Sequence, residues 1–206
     1  MTTPDQPATS AQPWYVKHQR TLLIAGGIIA FFVVIAVLTA LTPPAAWGAP
    51  SQSIGHPLAV VVDPAHTNTV DIGTEQGKVY STTDGQTWID QSAGLPAKIA
   101  VSALARSADG AHFLAGTSAG IYAFSTSNQK WAASTSGLPT GDGMDALAFA
   151  SADGQIVLAG TEHNATYRST DGGKTWSASA SGLAANADIY GLTILPDDKT
   201  VYAAVI

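Results

Sequence analysis

Trp88, Trp131 and Trp176 stand 43 and 45 residues apart, and other marks keep the same stride. Glycine followed by threonine recurs at Gly73, Gly116 and Gly160, and glycine followed by leucine at Gly94, Gly137 and Gly182. Tyr80, Tyr122 and Tyr167 keep the stride approximately. A fixed period means that one supersecondary unit is used several times, and such a unit must bury its apolar face against its neighbours. The segments within each period are short, β-rich and punctuated by glycine, so the unit is built of strands and not of helices.

Four strands can be placed in each repeat. Apolar runs at 58–62, 101–105, 146–150 and 190–195 come first; unbroken runs of this kind suit a strand covered on both faces. Asp109-Gly110 and Asp153-Gly154 are tight hairpin signals, with Asp63-Pro64 and Asp197-Asp198 in the equivalent places. The second strand then ends near the Gly-Thr mark, the third carries the tyrosine and the fourth starts at the tryptophan. Four short strands in ~40–50 residues is the length of one β-propeller blade. The expected fold class is therefore all-β: propeller blades of four antiparallel strands, about three and a half of them, in an incomplete ring. The repeats run over 58–96, 97–139, 140–184 and, incomplete, 185–206. A ring takes roughly four to eight blades. The apolar ending from Val201 to Ile206 therefore points to a longer protein, or to self-association through an unpaired edge. Two such chains would bring the blades of a seven-bladed ring.

The third repeat carries Ser169-Thr170-Asp171-Gly172-Gly173-Lys174-Thr175-Trp176. This resembles the Asp-box, the hairpin signature of BNR-type β-propellers. Its chemistry is structural: Asp171 can accept backbone N–H groups of its own turn, Gly173 permits positive φ and Trp176 supplies an apolar anchor, with Ser169 and Thr175 completing the pattern. In the first repeat, aligned on Trp88, Thr83 stands where the aspartate belongs. The second, ending at Trp131, is one residue short and lacks both Asp and Gly. The resemblance covers 58–206 and evokes sialidases, xyloglucanases, sortilin-like receptors and photosystem II assembly-factor-like proteins.

Ahead of the repeats, residues 1–20 read as a disordered cytoplasmic tail rich in Pro, Thr, Gln and Ser, with Lys17 and Arg20 at its end. Leu22 to Leu41 run without a charge, and at ~1.5 Å per residue such a helix would cross a hydrocarbon core of ~30 Å. No Lys or Arg follows until Lys78, so the positive-inside bias places the tail in the cytoplasm and the repeats outside. The segment 21–41 is read as a single-pass signal-anchor in preference to a cleaved signal peptide, whose apolar core would be shorter. Residues 42–57, with four prolines and two glycines, form a spacer.

From position 42 onward there are 7 basic and 14 acidic residues, a balance of −7 that repels phosphate backbones and disfavours nucleic acid. Absence of cysteine excludes a disulfide scaffold and a Cys-ligated zinc site. Four-stranded up-and-down blades put their B–C and D–A connections on one face and the Asp-box turns on the other. A ligand site would therefore draw on Glu75, on Glu162 and His163, and on Asp142 in the stretch 140–145. Glu75 and Glu162 lie two blades apart, too far to act as paired acids on a glycosidic bond, which need ~5–9.5 Å. The scattered histidines lack metal-ligand spacing, and no cofactor motif or catalytic set emerges. Only Arg106 and Arg168 follow the apolar run, too few for a sialidase carboxylate grip. The reading is a membrane-anchored extracytoplasmic module that binds or scaffolds a protein or glycan. The alternative is the front part of an extracellular glycoside hydrolase whose catalytic residues lie beyond residue 206.

Overall fold

The computed structural model describes residues 53–150, 153–184, 186–195 and 200–205. The expected tail, membrane helix and first part of the spacer lie outside them. Among the described residues no helix is long and apolar enough to cross a membrane, and all regular structure is strand.

Three sheets of four antiparallel strands and one of two follow each other along the chain. The first is β1 (Pro57–Val62), β2 (Val70–Thr74), β3 (Val79–Thr82) and β4 (Ile89–Asp90). The second is β5 (Val101–Arg106), β6 (Phe113–Thr117), β7 (Gly120–Ser125) and β8 (Lys130–Ala133). The third is β9 (Met144–Phe149), β10 (Val157–Thr161), β11 (Thr166–Ser169) and β12 (Ser177–Ala178). The last holds β13 (Ile189–Ile194) and β14 (Val201–Val205). Strand order within each sheet follows chain order, and β1 lies against β5, β5 against β9 and β9 against β13. Sheets that touch chiefly through their first strands fan out from one side, which is the radial arrangement of propeller blades.

The Gly-Thr mark explains itself in this packing. Val101, Met144 and Ile189, the first residues of β5, β9 and β13, are fully buried and press on Gly73, Gly116 and Gly160 of the preceding sheet. A methyl group at Gly116 would lie 2.5 Å from the Met144 carbonyl oxygen, inside any real contact distance. The threonine that follows closes the next turn: Thr117 Oγ1 donates to Gly120 O at 2.8 Å and accepts from Ala119 N at 3.1 Å. Thr161 does the same with Ala165 O and Asn164 N.

The tryptophans join sheet to sheet. Trp131 donates from Nε1 to Gln91 O at 2.7 Å and from its backbone N to Ala93 O at 2.8 Å. Trp176 repeats both bonds one sheet later, to Ser134 O at 3.0 Å and Ser136 O at 2.9 Å. Trp131 also packs against Phe113 and Phe124, with ring centroids 4.8 and 5.2 Å away. Gly94 and Gly137, at positive φ, lie under the Trp131 and Trp176 backbones, which is why glycine precedes leucine there.

Burial on both faces holds for β5 but not for β1, whose Leu58, Val60 and Val62 are exposed because no described sheet covers that side. A buried ion pair ties the first two sheets at the end opposite the Thr-closed turns. Arg106 bonds Asp71 at 2.7 Å and Asp63 at 3.3 Å, with its guanidinium 3.8 Å from the Phe113 ring centroid.

Replacing Gly116 by Ala should destabilise the fold by about 1–3 kcal/mol through overpacking, and Trp131→Ala should cost about 3–5 kcal/mol. Urea unfolding midpoints check both. An unchanged midpoint in Gly116→Ala would mean that the sheets do not interlock at that glycine.

Candidate functional site

The Asp-box turns lie between the third and fourth strands of the first and third sheets. In the third sheet Asp171 accepts from Lys174 N and Thr175 N, both at 2.9 Å, and from Thr175 Oγ1 at 2.6 Å. Ser169 Oγ accepts Gly173 N at 2.9 Å and donates to Asp171 at 2.7 Å. The bond from the Thr175 hydroxyl, with the backbone donors, holds the Asp171 carboxyl far below its ordinary range. The first sheet corrects the sequence alignment. Asp84, not Thr83, takes the aspartate role, accepting Thr87 N and Gln86 N at 2.8 Å each, and those backbone bonds lower its carboxyl to about 2. Thr82 Oγ1 stands in for Ser169 Oγ, receiving Gly85 N at 2.9 Å. The turn is one residue shorter, so counting back from Trp88 shifts the frame. Ser169, Asp171, Gly173, Thr175 and Trp176 thus hold a hairpin together, and Trp131 and Trp176 clasp neighbouring sheets.

The opposite face holds the turns closed by Thr74, Thr117 and Thr161 and the connections between sheets. Glu75 and Glu162 occupy matching places there: Glu75 N donates to His56 O at 2.9 Å, and Glu162 N to Gly143 O at 3.0 Å. Their surroundings differ. Glu75 pairs with the exposed His56 at 3.1 Å and stands apart from the other expected site residues. Glu162 belongs to a cluster. Asp142 is buried at 4% exposure, and its two carboxylate oxygens meet His163 Nδ1 at 3.2 Å and Asn164 Nδ2 at 2.7 Å. His163 Nδ1 is 4.0 Å from Glu162 Oε2.

Asp145 joins this cluster through a bulge. In each sheet the first-to-second strand register slips by one, leaving Leu58, Ser102, Asp145 and Tyr190 as the extra residues. A bulge re-aims a side chain, and these four line one concave surface formed by the innermost strands. Burial first, then the nearby Glu162, raises the Asp145 carboxyl above its ordinary value, with Asp142 and Asp188 adding to the push and Ser102 opposing it. The His163 imidazole is raised too, chiefly by its bond to Asp142, with Glu162 and Asp188 contributing. Of the expected residues, Asp142, Glu162 and His163 therefore come together and Glu75 does not. Asp188 was missed by sequence reasoning, because nothing local marks a residue that reaches the site from the next sheet.

Such an arrangement attracts positive charge. Asp142, Glu162 and His163 offer donor atoms within 4.8 Å of one another, a mixed oxygen and nitrogen set that could hold a cation despite the lack of a spacing motif. Arg106 cannot grip a substrate carboxylate, being committed to Asp63 and Asp71.

No family model and no curated protein matches the chain. Solved structures do. The extracellular domain of BT4673 from B. thetaiotaomicron matches at TM-score 0.61 and 16% identity, over 77% of this chain and 21% of that one. YCF48 from Cyanidioschyzon merolae matches at 0.56 and 16%, over 81% and 51%, and YCF48 has also been solved bound to a D1 peptide. A GH74 xyloglucanase from Xanthomonas campestris matches at 0.57 and 25%, over 71% and 26%. All are β-propellers, and this chain has their fold while spanning about a fifth to a half of their length.

His163 should titrate above 6.5 in the folded protein, and Asp142→Asn should lower that value; NMR of the imidazole protons checks both. An imidazole raised by folding stabilises the fold below its unfolded value, and the contribution is lost as pH rises through the folded one. A His163 value that ignores Asp142→Asn would dissolve the pair.

Proposed function

We propose that this chain is a membrane-anchored, extracytoplasmic propeller segment that binds a partner protein through the face bearing Asp142, Asp145, Glu162, His163 and Asp188. The observation that carries this reading is the convergence of those groups from two connections between sheets, one hairpin turn and one strand bulge, with Asp142 buried and held by His163 and Asn164. Four carboxylates around one imidazole favour a partner that presents lysine or arginine side chains, since opposite charge speeds encounter and fixes orientation. YCF48 bound to D1 peptide shows a protein of this fold taking a peptide. A glycan partner remains within the same reading, because polar side chains on this face can meet hydroxyl groups. The anchor rests on the 20-residue uncharged run from Leu22 to Leu41 and on the basic residues ahead of it.

The second reading is hydrolysis of a glycan, favoured by one feature. Asp145, raised by burial and by Glu162, is a carboxyl suited to hold a proton beside a second carboxylate. The xyloglucanase neighbour has this fold, but the chain spans only 26% of its length.

Three measurements test these readings. Full-length protein in detergent micelles should capture lysine- and arginine-bearing peptides from a peptide array, and Asp142→Asn with Glu162→Gln should weaken capture about tenfold or more. Equal capture by the variant, or release of chromogenic sugars from a glycoside panel by the parent chain, would overturn the binding reading. Membrane pellets washed with alkaline carbonate should retain the protein; its appearance in the wash would remove the anchor.

A further inference from the structure

The acidic face contains three side chains that the repeat does not need in order to fold. Strand register fixes the comparison: Pro57, Val101 and Met144 pair with Thr74, Thr117 and Thr161, so the residues just ahead of the first set occupy matching places. Asp142 therefore stands where the first two sheets have Gly55 and Ile99. In the turn after the threonine, Glu162-His163 stands where the first sheet has Glu75-Gln76. The second sheet has a shorter turn there, Ser118-Ala119, without an ionisable side chain. Burying a carboxylate is costly unless something compensates it. The same place is filled by glycine or isoleucine elsewhere in the chain, so the fold is not what calls for Asp142.

His163 Nδ1 lies 3.2 Å from Asp142 Oδ1 and 4.0 Å from Glu162 Oε2, and one donor atom from each of the three falls within 4.8 Å of the others. Ligands held ~2.0–2.2 Å from a tetrahedral ion stand ~3.4 Å from one another, so the first pair already has that spacing. Glu162 is exposed and closes the rest by a movement of about 1 Å. The supports are in place. Asn164 Nδ2 holds Asp142 Oδ2 at 2.7 Å, which leaves Oδ1 turned to His163. Glu162 N bonds Gly143 O at 3.0 Å and Asn164 N bonds Thr161 Oγ1 at 2.9 Å, so the connection and the turn that carry the donors are fixed to each other. Gly143 makes the room: a methyl group there would lie 3.0 Å from Glu162 Oε2, tighter than the carboxylate can keep.

We propose that Asp142 Oδ1, Glu162 Oε2 and His163 Nδ1 bind one divalent metal ion of the zinc class, with its remaining coordination position turned to solvent. One imidazole nitrogen among two carboxylates selects such an ion over calcium, which takes roughly six to eight oxygens, and over magnesium, which keeps much of its water. The inference deepens the binding role proposed for this face and rests on that reading in one respect. The ion neutralises carboxylates that a lysine or arginine would otherwise meet, so ion and cationic peptide compete.

Full-length protein in detergent micelles, first dialysed against a chelator, is titrated by calorimetry with zinc chloride and separately with calcium chloride. One zinc per chain is expected, bound about tenfold or more tightly than calcium. His163→Gln, which installs the side chain type of Gln76 in the first sheet, should weaken zinc about tenfold or more, and so should Asp142→Asn. His56→Gln, at the other exposed histidine–glutamate pair, should leave zinc binding unchanged. Zinc should also shift the imidazole proton signals of His163 and leave those of His66 and His112 in place, a readout that misfolding of a variant would not imitate. Saturating zinc should lower capture of lysine- and arginine-bearing peptides about tenfold or more. Absence of zinc binding with peptide capture intact would overturn the ion site and spare the binding role. Zinc binding without any peptide capture would support the ion site and remove that role. Equal zinc affinity in parent, His163→Gln and Asp142→Asn would place the ion elsewhere and overturn the proposal, and capture unchanged at saturating zinc would overturn the competition.

Discussion

The contact on which everything else depends is the seating of one strand's first residue on the glycine of the sheet before it. Val101 on Gly73, Met144 on Gly116 and Ile189 on Gly160 bring backbones together so closely that no side chain fits on the receiving strand. That approach in turn lets Trp131 and Trp176 reach back and bond carbonyl oxygens of the preceding sheet. Each sheet is then completed by the next, and stability becomes largely a matter between neighbours. The same logic accounts for the exposed apolar side chains, which concentrate on the first sheet and on the last two strands, the sheets with an uncovered side.

The division of labour between the two faces follows from strand direction. Turns between third and fourth strands are held by Asp84 and Asp171, each of which accepts two backbone N–H groups of its own turn through one carboxylate oxygen. On the other face the connections are closed by threonines on strand ends, and charged side chains beyond them stand free to gather. Their gathering is uneven. His56 and Glu75 make a simple exposed pair on the first sheet, while Asp142, Asp145, Glu162, His163 and Asp188 concentrate around the third, where burial and then the neighbouring carboxylates raise the Asp145 carboxyl above its ordinary value.

Much of the fold was legible in residue spacing. The Gly-Thr, Gly-Leu and Trp marks each answer a local demand of a closely stacked sheet, so their stride reported the unit and its strand count correctly. The first Asp-box was misread by one position because its turn is a residue shorter, and hydrogen bonding rather than distance from Trp88 identifies Asp84 as the accepting carboxylate. Of the site, Asp142, Glu162 and His163 were legible as charged residues in turn-forming stretches. Asp188 was not, since only the rotation between the third and fourth sheets carries it there.

By itself, then, the sequence determined the strands, their antiparallel order and the repeat, because hairpins and glycine positions are set by residues within a few places of one another. Tertiary structure decided which charged loops meet, which glycine receives the next strand's first residue, and which carbonyl oxygens each tryptophan reaches. Those depend on how one sheet is set against the next, a relation between residues about a full repeat apart that no local pattern records.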